Sequence, residues 1–238
     1  MGTPLHEQLQ VHPYPSHQYL DKASVLWLIE QGKPQSVSVY SLLPKYSPFP
    51  INELDLRTEW FGDTKMAYGI HGARHLVRVA LYVWIIAQYL AVDRVGSREQ
   101  MIDFLQAAMV HDIRRIDDNA DIEHGHRSAD WIEAVLPKTS DAAVAAVRFH
   151  AEEAPRGLDA NSLDLLNMLK TADALDRFRL PRVKWWPDKD RMPLETSDEL
   201  LEFCKYVTLQ SELETCGLED VDTIVKKLKI WLKQEALI

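Results

Sequence analysis

Cysteine is scarce in this 238-residue chain: only Cys204 and Cys216 occur, and neither belongs to a metal-ligand cysteine pair. A disulfide framework is not expected, and a reducing compartment fits. Long apolar runs are missing too. The most apolar stretch, residues 80–90, is about half the roughly 20 residues a membrane span needs, and it lies inside an amphipathic pattern. The opening MGTPLHEQLQ has neither a basic n-region nor an apolar h-region, so no signal peptide is expected. Leu5 and His6 stand where a myristoylation motif wants a hydroxyl residue. Positive charge is in deficit, 27 Lys and Arg against 36 Asp and Glu, for a net charge of −9. Binding along an extended nucleic-acid backbone needs a basic footprint and is not expected; a small anionic substrate held by local arginines is compatible. There is no internal repeat and no low-complexity tract. What remains, 46% hydrophobic and 26% charged residues, is the composition of a soluble globular protein. The length suits one core, and the expected location is cytoplasmic.

Residues 1–65 are rich in proline and aromatics, hold no long helical period, and read as an arm packed on the core. Within the arm, LLPKYSPFP at 42–50 carries three prolines and is not a helix. QSVSVY at 35–40 alternates, which predicts a short strand. From about Tyr68 the text changes. HGARHLVRVALYVWIIAQYLA, residues 71–91, repeats apolar residues at three- and four-residue intervals, which predicts a long helix that becomes buried. Ser97 with Gln100 forms a capping box for a helix ending at His111-Asp112. Further helices are expected at about 125–136, 141–151 and 162–179, the last with Ser162 as its N-cap. Pro181 and Pro187 interrupt, and two more helices follow at about 197–213 and 219–235. Val221, Ile224, Val225, Leu228 and Trp231 form an apolar stripe suited to core or dimer packing, so a homodimer is compatible. The expected fold is an all-α helical bundle, with a helical core over residues 66–185 and a C-terminal helical extension over residues 186–238.

Six of the nine histidines fall between residues 71 and 150. A helical core does not need histidine, so the concentration calls for a chemical reading. Singly, each is equally a satisfied core residue or a helix cap; the ordered set is more specific. His71 and His75 are four apart and would share one helix face. His111-Asp112 stands at a helix end, His124 opens the next helix, His150 closes another, and Asp173 lies within LKTADALDR.

In that order the residues resemble the HD superfamily of metal-dependent phosphohydrolases. HLVRVA at 75–80 is similar to the family's first-histidine helix, MVHDIRR at 109–115 to its His-Asp word, and LKTADALDRFR at 169–179 to its closing aspartate helix. The resemblance covers about residues 68–182. It implies that His75, His111, Asp112 and Asp173 bind one metal. HGHRSA and RFH resemble the words carrying two extra ligands in dinuclear members, so His124 and His150 would bind a second metal bridged by Asp112. Imidazole and carboxylate together suit Mn, Fe, Co, Ni or Zn better than Mg alone. The implied activity is hydrolysis of a phosphoester of a nucleotide or other small metabolite by metal-activated hydroxide. HGARH also resembles a phosphodiesterase word in which the earlier histidine protonates the leaving oxygen, a role that would fall to His71, with Gly72 in place of an asparagine.

Arg115 occupies the basic position of the family's His-Asp-Ile-Gly-Lys word and would grip a substrate phosphate, although Arg114 replaces the glycine. Lys170, three before Asp173, is a second candidate for substrate binding. Asp117, Asp118 and Asp121 read as a solvated acidic turn, and His126 as exposed. RFRLPRVKWWP, residues 177–187, interleaves basic and aromatic side chains. That mix suits nucleotide stacking, but a basic surface strip with packed tryptophans is the preferred reading. Two other functions share the ligand set: a di-iron oxygenase resembling inositol oxygenase, and a non-catalytic nucleotide-binding scaffold.

Overall fold

The computed structural model describes residues 2–12, 15–90 and 97–238. Residue 91, the end of the long helical word, lies outside them. The described residues form an all-helical bundle without strands. The α-helices are α1 (Leu5–Val11), α2 (Lys22–Gly32), α3 (Val39–Leu42), α4 (Ala73–Tyr89), α5 (Arg98–Met109), α6 (His124–Val135), α7 (Asp141–Phe149), α8 (Ala160–Leu175), α9 (Asp198–Thr215) and α10 (Val221–Gln234), with short 3₁₀ turns between them. None is long and apolar enough to cross a membrane.

Helix α4 is the centre of the bundle. All of it is buried except Trp84, Gln88 and Tyr89, and it packs on α5, α8, α9 and α10. Such a helix must be apolar nearly all round. Its two buried arginines are held by polar partners: Arg74 bonds Thr215 and the carbonyls of Tyr68 and Leu218, while Arg78 bonds Glu212 and Asp176. The helix starts at Ala73, later than the periodicity implied, because Gly69 and Gly72 break the chain after a 3₁₀ turn at Met66–Tyr68. Gly72 caps α4 in an extended conformation, and a Cβ there would lie 2.3 Å from the Ala67 carbonyl oxygen. Only glycine fits that approach.

Other boundaries also differ from expectation. The segment at 35–40 is not a strand. It is irregular up to Ser38, which caps α3, and buried Val39 enters the main core; alternation without a partner strand is insufficient. The arm contains an 11-residue helix, α2, capped by Asp21 through the Ser24 amide. The capping box at Ser97–Gln100 forms as expected, but α5 ends at Met109, leaving His111 and Asp112 in the turn beyond it. The N-cap of α8 is Asp159, whose carboxylate accepts from the Ser162 amide and hydroxyl. The acid one turn earlier outcompetes the serine. That helix stops at Leu175 and passes into a 3₁₀ turn, Asp176–Arg179.

One continuous apolar core runs from Val39 to Leu237 and includes Val221, Ile224, Leu228 and Trp231 of the C-terminal stripe. A second, small cluster of Leu5, Leu9, Ile70 and Leu180, flanked by Leu20 and Trp185, joins α1 to the segment just before α4.

Candidate metal centre

The histidine and aspartate side chains singled out above come from helix ends. His75 is the third residue of α4, His111 and Asp112 follow α5, His124 opens α6, His150 follows the last residue of α7, and Asp173 lies in the last turn of α8. Helix termini carry backbone groups without intrahelical partners, so short polar side chains are accommodated there at little cost. Gly125 brings two of these ends together. A Cβ on it would lie 2.8 Å from the Arg148 carbonyl oxygen and 3.2 Å from His150 Nδ1, so the start of α6 rests directly on the end of α7.

Four imidazoles converge with one orientation. His75 Nδ1 is 2.8 Å from an Asp176 carboxylate oxygen. His111 Nδ1 is 2.7 Å from the Ala108 carbonyl, His150 Nδ1 is 2.6 Å from that of Val147, and His124 Nδ1 contacts that of Asp121. Each Nδ1 therefore carries the proton and donates outward, which leaves the Nε2 lone pair facing in. Those inward nitrogens crowd one another, 3.3 Å between His75 and His111 and 2.8 Å between His124 and His150. Lone pairs at that separation repel unless a cation lies between or beside them.

Asp112 sits between the two pairs. Its Oδ1 is 2.8 Å from His124 Nε2 and 3.2 Å from His150 Nε2, and its Oδ2 is 3.6 Å from His75 Nε2. Asp173 Oδ1 closes the other side, 3.4 Å from His75 Nε2. Donor atoms of His75, His111 and Asp173 form one group able to hold a metal ion, and those of His111, Asp112 and His150 form another. The buried donors are imidazole nitrogens and carboxylate oxygens, which fits a first-row divalent ion.

The electrostatics agree with that fit in part: burial acts to lower His150, but its bond to the charged Asp112 raises its pKa above the usual imidazole value. Burial holds the His111 pKa down to about 3, so the ring is neutral and available as a ligand. Burial acts to raise Asp112, and the positive charge around it, the Arg115 guanidinium included, more than offsets that, so the carboxylate stays ionised. Asp173 is lowered in the same way, burial being opposed by positive charge that includes the Arg179 guanidinium.

A cavity of about 430 Å³ opens over the cluster, lined by Asp112, His124, His150 and Asp173 at one end. His71 also lines it, but not from the face of α4: it precedes the helix cap, with its ring edge-on to His75 at 5.8 Å. Its Nδ1 is 2.8 Å from Asp118 Oδ1, and burial, then Arg115 and Arg179, hold its pKa well below the usual imidazole value. Arg115 is buried in the cavity wall, 3.6 Å from Asp112, and is braced by the carbonyls of Asp117 and Asn119. Lys170 is not part of that lining; its ammonium bonds the Glu152 carbonyl. His126 is half-buried rather than exposed, 2.8 Å from Glu152.

The acidic turn is not solvated as expected. Asp118 is buried, accepts the Gln18 amide at 2.6 Å, and has its pKa pushed up by burial to about 7. Asp121 holds Arg127 and the Ile116 amide. The strip at 177–187 divides: Trp186 packs edge-on against Phe178, whereas Arg177, Arg179 and Trp185 line the cavity.

Sequence reading missed Asp176. It is fully buried and bonds both His75 and Arg78. Arg78 and Glu212, and then Arg179, hold this acid–base group together, and Arg78 and Arg179 keep the Asp176 pKa low against the effect of burial. A signal was present: Asp176 follows Asp173 by three, as Arg78 follows His75, so each pair shares a face. For Asp118, 47 residues from His71, no spacing signal exists.

Comparisons with models of known families, with curated proteins and with solved structures return no match. The functional reading of this chain stands on the geometry of its own residues.

Proposed function

We propose that this protein is a metal-dependent phosphohydrolase of the HD type, acting on a phosphoester of a nucleotide or other small metabolite. One observation carries the reading: four imidazoles, each pinned at Nδ1, turn their Nε2 atoms onto two aspartates beneath an open cavity. His75, His111, Asp112 and Asp173 would hold one ion, and Asp112, His124 and His150 a second. Bound there, Mn, Fe, Co, Ni, Zn or Mg supplies Lewis acidity toward a phosphoryl oxygen and lowers the pKa of water.

The chain's own residues do the rest. Arg115, fixed by two carbonyls, offers guanidinium N–H groups to a phosphate above Asp112. His71 and Asp118 share a proton. When Asp118 is protonated its O–H donates to His71 Nδ1, and the ring proton sits on Nε2. Transfer of that proton to the leaving oxygen is balanced by movement of the Asp118 proton to Nδ1.

The test is metal analysis of the purified protein with a phosphoester panel run in Mn, Fe, Co, Ni, Zn and Mg. Bound transition metal and phosphate release, both lost in His111→Ala, are expected. Iron-dependent O₂ consumption without phosphate release would overturn the hydrolase in favour of an oxygenase. Tight nucleotide binding without turnover in any metal would leave only a binding scaffold.

A further inference from the structure

Two side chains of the cavity wall face a second space as well. Arg177 and Trp185 line the cavity over the metal ligands and also a neighbouring pocket of about 230 Å³, together with Lys184, Trp186, Asp188 and Arg191. The course of the chain explains the link. Asp173 lies in the last turn of α8, and Arg177 follows four residues later in the Asp176–Arg179 turn, so a carboxylate and a guanidinium reach the same cavity from one short segment. The aromatic walls are held in place. The Trp186 indole N–H donates to the Leu180 carbonyl at 3.0 Å, with its ring edge-on to Phe178, and the Arg182 guanidinium carbon lies 4.5 Å from the Trp185 ring centroid.

Positive charge is concentrated there against the trend of the chain. Residues 177–191 carry six basic and two acidic side chains in a protein of net charge −9. Four of the six are committed: Arg179 faces Asp176, Arg182 bonds the Leu9 carbonyl, Lys189 bonds Asp198, and Arg191 lies 3.3 Å from Asp188. Arg177 and Lys184 are not. Neither side chain has a hydrogen bond or ion pair among the described residues, and both line the second pocket. A solvated basic strip would spread its charges into water. Here two uncompensated cations share one small space with Arg191 between fixed indoles, where an anion relieves their mutual repulsion.

We propose that Arg177, Lys184 and Arg191 form a second anion subsite, which takes a phosphate other than the one bound over the metal ligands. This rests on the phosphohydrolase reading and narrows its substrate to a small molecule with two separated phosphates, the scissile one above Asp112 and the other held beyond Trp185. Arg177 offers a planar fork to two phosphate oxygens, and Lys184 adds a point charge. The negative charge of the chain disfavours a nucleic-acid strand in this role, because a strand needs a basic track longer than one pocket.

The experiment is calorimetric titration of the full chain, in manganese, with alkane bisphosphonates of increasing chain length, each compared with the alkyl monophosphonate of the same length. Their carbon–phosphorus bonds are not hydrolysed, so binding is read without turnover. Over one range of lengths the bisphosphonate is expected to bind about tenfold tighter or more, as a further charge-assisted contact requires, and the double variant Arg177→Gln/Lys184→Gln to bring the two ligands within about threefold of each other. The ligand comparison is made on the unaltered protein, so it does not depend on the variant folding. No preference at any length overturns the proposal. A preference equal at every length, the mark of charge attraction without a site, also overturns it, as does tighter binding of a short single-stranded oligonucleotide than of every bisphosphonate. The two readings fail separately. Phosphate release from simple esters without any bisphosphonate preference removes the second subsite alone. A length-dependent preference without turnover in any metal removes the hydrolase alone.

Discussion

Replacing Asp118 by Asn changes how stability depends on pH, by an amount that follows from one buried carboxyl. The folded pKa of Asp118 is about 7 because burial penalises the charged form, against 3.8 for an ordinary aspartate. A carboxyl raised on folding makes the native chain bind more protons than the unfolded chain between those values, so stability falls as pH rises through that window. At about 1.36 kcal/mol per pH unit, the interval from pH 5 to pH 7 amounts to roughly 3 kcal/mol, and the effect levels off above pH 7. Asn keeps the shape and the acceptor oxygen for the Gln18 amide but cannot ionise. The stability of Asp118→Asn relative to the unaltered protein should therefore increase by about 2–3 kcal/mol between pH 5 and pH 8. Urea unfolding at both pH values measures the difference, in which titrating groups not coupled to Asp118 cancel. A difference that stays constant to within about 0.5 kcal/mol would refute the raised pKa and the shared proton with it.

Replacing His71 by Asn should lower turnover roughly 10²–10⁴-fold with bound metal retained; metal analysis showing loss of the ion would make His71 a ligand or a structural residue instead. Asp176→Asn removes the charge facing Arg78 and Arg179 and leaves a single acceptor oxygen where His75 and Arg78 each had one. Denaturant melts should show a loss approaching about 3–5 kcal/mol, and metal titration an affinity about 10–100-fold weaker. An unchanged metal affinity would show that Asp176 supports the fold alone. Gly72→Ala forces a methyl onto the Ala67 carbonyl and should cost about 1–3 kcal/mol in a urea melt; an unchanged midpoint would mean the cap relaxes freely.

Much of the bundle was legible in the linear text, because its signals are local. The 3.6-residue apolar period marked α4, and the stripe at Val221, Ile224, Leu228 and Trp231 marked α10. The Ser97–Gln100 box marked the start of α5. Boundaries were less legible, since they depend on which of several local groups wins, as Asp159 did over Ser162 and as Gly72 did by its contact with Ala67. The order of histidines and aspartates also named the six side chains that cluster around Asp112, each of which stands in a recognisable word, but not Asp176, which bonds His75 from behind.

What the sequence by itself determined, then, is the helical class and which histidines and aspartates cluster at one point, since both are carried by short local words. Only the tertiary structure decided that Asp118 is buried against His71, that Asp176 orients His75, that Lys170 turns away to Glu152, and that Gln18 from the arm walls the cavity. Burial, protonation and unpaired polar atoms are properties of what surrounds a side chain. Those surroundings come from segments a hundred or more residues apart, as Gln18 and Asp118, and Arg74 and Thr215, are.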